Sequence, residues 1–374
     1  MGKYLTAAGA IALAGGLTLV TPAHARAAAD DNTTIGGALL GQHGVIVDAG
    51  AKKLPKTESS AFVVADADTG EILAAKDPHG RFLPASTLKT LTALTLIPRL
   101  DKRKTIKPSL DACNVEGSAV GLTQHKIYKV ADLFRALMMV SGNDAAVALA
   151  EVNGGLARTL ADMNAEAKRL QALDTVAKTP NGLDKPGQSS SAYDLALIAR
   201  AGLANRDFRE YVSTKLADFP APEGKHYQIQ NHNRLLGRYP GMIGIKNGWT
   251  TKALGSFVGA ARRDGHTMIV VVMRHEGSFW HEVEDLLDWG FAARGHVTPV
   301  GTLVSPVPEV KPTKPVGGPP SGAPAAPVKP VEAAHDSPLV GVGAGVVAVA
   351  MLGGAAWIVY GVRRRSRSNP EAQA

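Results

Sequence analysis

Leu83-Pro84-Ala85-Ser86-Thr87-Leu88-Lys89-Thr90-Leu91-Thr92-Ala93-Leu94-Thr95-Leu96-Ile97-Pro98 is the stretch around which the rest of the chain is organised. Pro84 suits the first positions of a helix and Pro98 marks where that helix must stop. Between them Leu88, Leu91, Ala93, Leu94, Leu96 and Ile97 leave no polar face beyond a few threonines. A helix that is apolar all round belongs in the middle of a domain. Ser86 and Lys89, three apart on its first turn, share one face, and Ser86 sits at the positive end of the helix dipole. A lysine held out of water loses basicity, so Lys89 can stay neutral and take a proton from the serine hydroxyl. Ser-x-x-Lys then describes an activated nucleophile. An N-cap serine followed by a surface lysine writes the same string, so the remainder of the chain has to decide.

Its 374 residues, 45% hydrophobic and 20% charged, leave room for a sizeable core. The formal charge of +8 drops to +4 once Lys3 and the tail residues Arg363, Arg364, Arg365, Arg367 and Glu371 are set aside. No basic stripe interleaved with aromatics is present, so nucleic acid is not an expected partner. Lys3, an apolar run over 5–20 and Ala23-His24-Ala25 read as a secretory signal peptide, residues 1–25, cleaved after Ala25. Residues 339–362 carry no charge and, as a helix of roughly 36 Å, are long enough to span a bilayer. Trp357 and Tyr360 stand just before a basic tail, 363–374, which the positive-inside rule places in the cytoplasm. The expected location is therefore the cell membrane, with a single C-terminal anchor and the folded part outside. Cys113 is the only cysteine, so no internal disulfide is expected. No His/Cys/carboxylate cluster has ligand spacing and no Gly-rich phosphate loop occurs, so neither a metal nor a cofactor is expected.

Along the chain, 26–60 lack clear periodicity and are expected to wrap the surface. Residues 61–66 and 71–75 read as strands joined by a turn at Asp68-Thr69-Gly70. After the central helix comes a largely helical stretch, 100–211, in which Leu133, Phe134, Leu137 and Met138 recur at helical spacing within 130–140. Residues 243–246, 255–260 and 267–273 return to extended character, with a hairpin turn at Arg263-Asp264-Gly265. An amphipathic helix over 280–294 closes the domain. The order predicts an α/β (α+β) fold: an antiparallel sheet flanked by helices, with a helical insert, over 61–297. Residues 298–338 hold 11 of the 23 prolines and read as an extended linker.

Two further strings bear on the chemistry. Ser141-Gly142-Asn143-Asp144 interrupts a helical pattern. It is an ordinary helix-to-helix turn, unless Ser141 and Asn143 face Lys89 to relay a proton and offer an amide to substrate. Ile245-Lys246-Asn247-Gly248-Trp249-Thr250-Thr251 opens an extended segment. Lys246 there is either a solvated edge residue or a positive charge in the site. Gly248 would let substrate lie close against the strand, and the Trp249 amide would point inward.

Together the three strings follow the order of the active-site set Ser-x-x-Lys, Ser-x-Asn, Lys-Thr-Gly. The chain resembles the low-molecular-mass penicillin-binding proteins of the D-alanyl-D-alanine carboxypeptidase family over about 61–294, with support from Thr179-Pro180-Asn181-Gly182 and Asp288-Trp289-Gly290-Phe291. The resemblance implies a serine-type D-Ala-D-Ala carboxypeptidase that trims peptidoglycan stem peptides and is acylated by β-lactams. It assigns Ser86, Lys89 and Ser141 as catalytic. Asn143, Lys246, Asn247, Gly248, Trp249 and Thr250 become substrate-binding, with Ser86 and Trp249 N–H groups holding the oxyanion. Asn247 stands where the family has threonine. Better-known members carry an arginine before the last helix, where an ungapped reading finds His281, with Arg274 nearby. The residue that grips the substrate carboxylate is thus open among Asn247, Arg274 and His281. Competing readings are a class A-like β-lactamase, which lacks its Glu-x-x-Leu-Asn loop here, a D,D-endopeptidase, and a non-catalytic wall-binding protein.

Overall fold

Val45–Val47 (β1) and Ala61–Asp66 (β2) begin the part of the chain, residues 34–308, that the computed structural model describes. Every residue of β2 is buried, and its side chains part by parity. Ala61, Val63 and Ala65 join the larger core, whereas Phe62 and Val64 join a second core on the opposite face. A strand covered on both sides has no solvent face to mark with polar residues, so it reads as an unbroken apolar run. Glu71–Lys76 (β3) pairs with it, as the turn at Asp68-Thr69-Gly70 requires.

A long insert follows. It contains the helices Lys89–Leu96 (α1), Leu110–Cys113 (α2), Val130–Met139 (α3), Asn143–Val152 (α4), Leu156–Arg169 (α5), Ala192–Ala204 (α6) and Arg206–Ser213 (α7). Two small antiparallel pairs lie among and after them: Thr105–Ile106 (β4) with Tyr128–Lys129 (β5), and Leu216–Pro220 (β6) with His226–Gln230 (β7). The chain then returns to the sheet through Met242–Thr250 (β8), Leu254–Arg263 (β9) and His266–His275 (β10). Trp280–Ala293 (α8) covers the second face, with Val283, Leu286 and Leu287 against Phe62, Val64 and Val270. Strand order is β1-β3-β2-β10-β9-β8 and all pairings are antiparallel. The predicted sheet, flanking helices and helical insert are all present, and α1 is buried along its whole length.

The flanks of the domain differ from expectation. Within the stretch assigned to the surface, β1 adds to the edge of β3, and Leu40 and Ile46 are buried. The expected linker starts too early at 298: Gly301–Thr302 (β11) pairs with β3, Val300 and Leu303 are buried, and Val307 N donates to Arg169 O at 2.7 Å. Edge strands of two or three residues leave too short a pattern to be read. The expected signal peptide, anchor and basic tail lie outside the described residues. Among the described residues no helix is long and apolar enough to cross a membrane.

Candidate active site

Ser86 lies not in the first turn of an α-helix, as expected, but in a 3₁₀ turn, Ala85–Leu88, that leads into α1. The difference has a chemical use. Side chains three apart eclipse one another in a 3₁₀ turn, and Lys89 Nζ lies 3.0 Å from Ser86 Oγ. Ala85 just before it is left-handed, with φ 48°, a strained setting for a residue with a β-carbon. Two glycines give that turn its room. A β-carbon on Gly182, itself at φ +84°, would fall 1.9 Å from Ala85 O. On Gly248 of β8 it would fall 2.6 Å from Ser86 N and 3.0 Å from Thr87 N. Only glycine at 248 lets the strand lie against the backbone of the serine turn.

Lys89 is fully buried and meets three groups: Ser86 Oγ, Asn143 Oδ1 at 2.7 Å and the Asn181 carbonyl at 2.6 Å. Burial holds its amine well below the usual lysine range; the positive charge of Lys246 lowers it further, while Asp144 opposes the change. A neutral amine has two N–H bonds and one lone pair. Asn143 Oδ1 and Asn181 O can only accept, so they take the two N–H bonds and leave the lone pair for the Ser86 hydroxyl. Asn143 is fixed from its other end, with Nδ2 donating to Glu116 O at 2.7 Å and its backbone N to Ser118 O at 2.7 Å. Its amide oxygen therefore serves the lysine first, rather than substrate as the sequence reading had it.

The loop between α2 and β5 is held by Asp144 of α4, whose carboxylate accepts from the N–H groups of Val120, Gly121 and Leu122 at 2.8 to 3.0 Å. Ser141, with φ 61° and 6% exposed, keeps its hydroxyl buried and without a hydrogen-bond partner among the described residues. It bonds neither Lys89 nor Ser86. Lys246 is 1% exposed, donates to Asn247 O at 2.6 Å, and is pushed down to about 7 by burial. Asn247, Gly248 and Trp249 line a cleft of about 970 Å³, with Trp249 62% exposed. The Thr250 hydroxyl is occupied elsewhere: it donates to Asp184 Oδ1 at 2.9 Å and accepts from Ala253 N at 2.9 Å.

Thus Ser86, Lys89, Asn143 and Gly248 converge, and Lys246 is buried close enough to bear on Lys89. Sequence reasoning missed the roles of Asn181, Glu116 and Asp144. Asn181 and Glu116 act through backbone carbonyls, which carry no side-chain signature, although Thr92 Oγ1, bonded to Pro180 O at 2.7 Å, shows why threonine faces that loop. Glu166 and Glu151, glutamates of the helical insert that a β-lactamase would need as a base for water, are engaged away from the serine. Glu166 forks onto Arg169 at 2.9 and 2.7 Å, and Glu151 accepts from Ser109.

Residues 48–277 match the D-alanyl-D-alanine carboxypeptidase peptidase family. The chain is 40% identical over 262 residues to the D-alanyl-D-alanine carboxypeptidase DacB2 of Mycobacterium tuberculosis, covering 68% of this chain and 89% of that one. It is 32% identical over 221 residues to DacF of Bacillus subtilis, covering 58% and 57% respectively. Among solved structures, a D-alanyl-D-alanine carboxypeptidase from M. tuberculosis H37Rv superposes with a TM-score of 0.66 at 38% identity, covering 69% of this chain and 99% of that one. The Streptomyces K15 DD-transpeptidase does so at 0.61 and 26%, covering 64% and 100%. With its serine and lysine joined across one 3₁₀ turn and that match over most of the folded part, the chain belongs to the D-alanyl-D-alanine carboxypeptidase family of serine peptidases.

Proposed function

We propose that this protein is a serine D-Ala-D-Ala carboxypeptidase that removes the terminal D-alanine from peptidoglycan stem peptides. The observation that carries this is the Lys89 amine, buried, with both N–H bonds directed at carbonyl-type oxygens and its remaining position 3.0 Å from Ser86 Oγ. Ser86 Oγ attacks the carbonyl between the two D-alanines while its proton passes to Lys89 Nζ. The negative charge on the carbonyl oxygen is met by the N–H groups of Ser86 and Trp249. The C–N bond breaks, and the departing amine of D-alanine takes up a proton through Ser141, whose hydroxyl has no other partner among the described residues. Water then cleaves the Ser86 ester and restores the serine. A β-lactam enters the same first step, its ring amide taking the place of the scissile bond.

Mass spectrometry of a pentapeptide, and separately of the protein with benzylpenicillin, tests the reaction. The expected results are loss of a single D-alanine from the peptide and one lasting penicilloyl adduct on the protein. Intact peptide beside rapid turnover of penicillin would sink the carboxypeptidase reading and favour a β-lactamase.

The proposed setting is outside the cell, on a membrane anchor. What supports it is the pattern of apolar and basic residues at 1–25, 339–362 and 363–374. Protease added to intact cells without an outer barrier should release an active soluble domain. A domain that stays protected under those conditions contradicts this orientation.

A further inference from the structure

The peptide proposed as substrate ends in a carboxylate, and a cleft that selects for it needs a fixed positive charge with free N–H groups. Of the three residues left open by the sequence, Asn247 is in the cleft wall but neutral. Arg274 is not among the residues that line the cleft, and its guanidinium lies 3.4 Å from Lys252 O. The His281 side chain is 93% exposed and pairs with Glu284 at 3.2 Å.

Among the described residues, the side chains lining the cleft that can carry positive charge are His232 and Arg234, and no aspartate or glutamate lines it. Burial and the nearby Lys246 hold the His232 imidazole below its ordinary range, so near neutral pH it is uncharged, whereas a guanidinium stays charged at any working pH. Among the described residues Arg234 has neither an acidic partner nor a hydrogen-bonded one. Its Cζ lies 6.0 Å from the centroid of the Trp280 ring, which itself packs against Phe257 and Phe279. A guanidinium resting on an indole keeps its N–H edge open to a carboxylate.

The loop that carries it is well fixed. His232 N donates to Met139 O at 2.8 Å, Asn231 Nδ2 donates to Thr214 O at 2.9 Å, and Asn233 Oδ1 accepts from Leu235 N at 3.0 Å. Leu235 is buried beside it. The charge is therefore presented from a braced loop on the same cleft as Asn247 and Gly248, and Gly248 touches the backbone of Ser86.

We infer that Arg234 anchors the terminal carboxylate of the substrate, so that selection for a free C-terminus is made by the loop after β7 and not by the end of β10 or by α8. The assignment rests on the carboxypeptidase reading above. It is tested with the full chain by measuring kcat/KM on a pentapeptide with a free C-terminus and on the same peptide as its C-terminal amide. The wild-type rate on the free acid reports on the reaction, and the acid-to-amide ratio reports on Arg234, so the two readings fail separately. In Arg234→Gln the ratio should fall on the order of 10²-fold, through KM more than kcat, since a charge-assisted fork is lost. Arg234→Lys should recover part of it, as a point charge without the fork. A wild-type ratio in Arg234→Gln overturns the assignment. So does a ratio that collapses in Arg274→Gln while Arg234→Gln retains it.

Discussion

In Ser86→Ala, D-alanine release and covalent labelling by penicillin should both fall by at least about 10³-fold, with the fold and melting temperature close to wild type. The expectation rests on there being one hydroxyl within reach of the Lys89 lone pair. Ser141, the other hydroxyl of the motif set, makes no bond to that amine and cannot take over as nucleophile without moving. Structure should survive because Ser86 is only half-buried and, among the described residues, its Oγ hydrogen-bonds only to Lys89. Losing that contact costs about 1 kcal/mol or less. Labelled penicillin on a gel, with circular dichroism as the control for folding, decides the matter. A variant that still labels like wild type would end the assignment of Ser86.

Lys89→Met carries the second large effect, and its signature is in the pH profile as much as in the rate. Removing a general base that accepts the serine proton typically costs about 10²- to 10⁴-fold in acylation. The wild-type rate should fall as pH drops through the lowered pKa of Lys89, because only the neutral amine has a lone pair to offer. That acid limb lies below the ordinary lysine range, since burial and the charge of Lys246 both disfavour a second ammonium in the same interior. Methionine has no such titration, so the limb should vanish along with most of the rate. Stability changes in two opposed directions: a costly buried amine is gone, but Asn143 Oδ1 and Asn181 O each lose a donor, at about 1–3 kcal/mol apiece. Stopped-flow acylation across pH is the measurement. An unchanged acid limb in the variant would mean that some other group takes the proton.

What could be read in advance divides along physical lines. The Ser86–Lys89 pair was legible because its geometry is local: three residues on one turn meet whatever the rest of the chain does. The strands β2, β9 and β10 were legible because burial on both faces leaves an apolar run too long to be a loop, whereas β8, which mixes Lys246, Asn247 and two glycines with apolar residues, showed only as a short extended piece. The hairpin β6–β7 was not, because Phe219 and Ile229 are its buried residues and the rest of His226–Gln230 is polar and exposed. Nor was Arg234. Its place on one cleft with Gly248, next to the Trp280 ring, depends on three segments far apart in sequence, and an arginine after Asn-His-Asn carries no mark of a cleft. The 3₁₀ turn at Ser86 was hidden for another reason, since Ala85 at φ 48° contradicts its own preference and is held there by its surroundings.

The pairing of β2 with β10, from Met268 opposite Asp66 to Met273 opposite Ala61, has a kinetic consequence. The two strands at the middle of the sheet stand near opposite ends of the domain, so joining them closes a loop of roughly 200 residues at an entropic cost on the order of 5 kcal/mol. Helices of the insert can form early from local contacts, but the strand that seats Gly248 against Ser86 pairs in the sheet only with β9, which joins the rest of the sheet through β10. A chain of such high contact order folds slowly, and its reactive serine acquires its neighbours late. A protein synthesised or threaded from its N-terminus therefore carries a harmless serine until almost the whole domain has emerged.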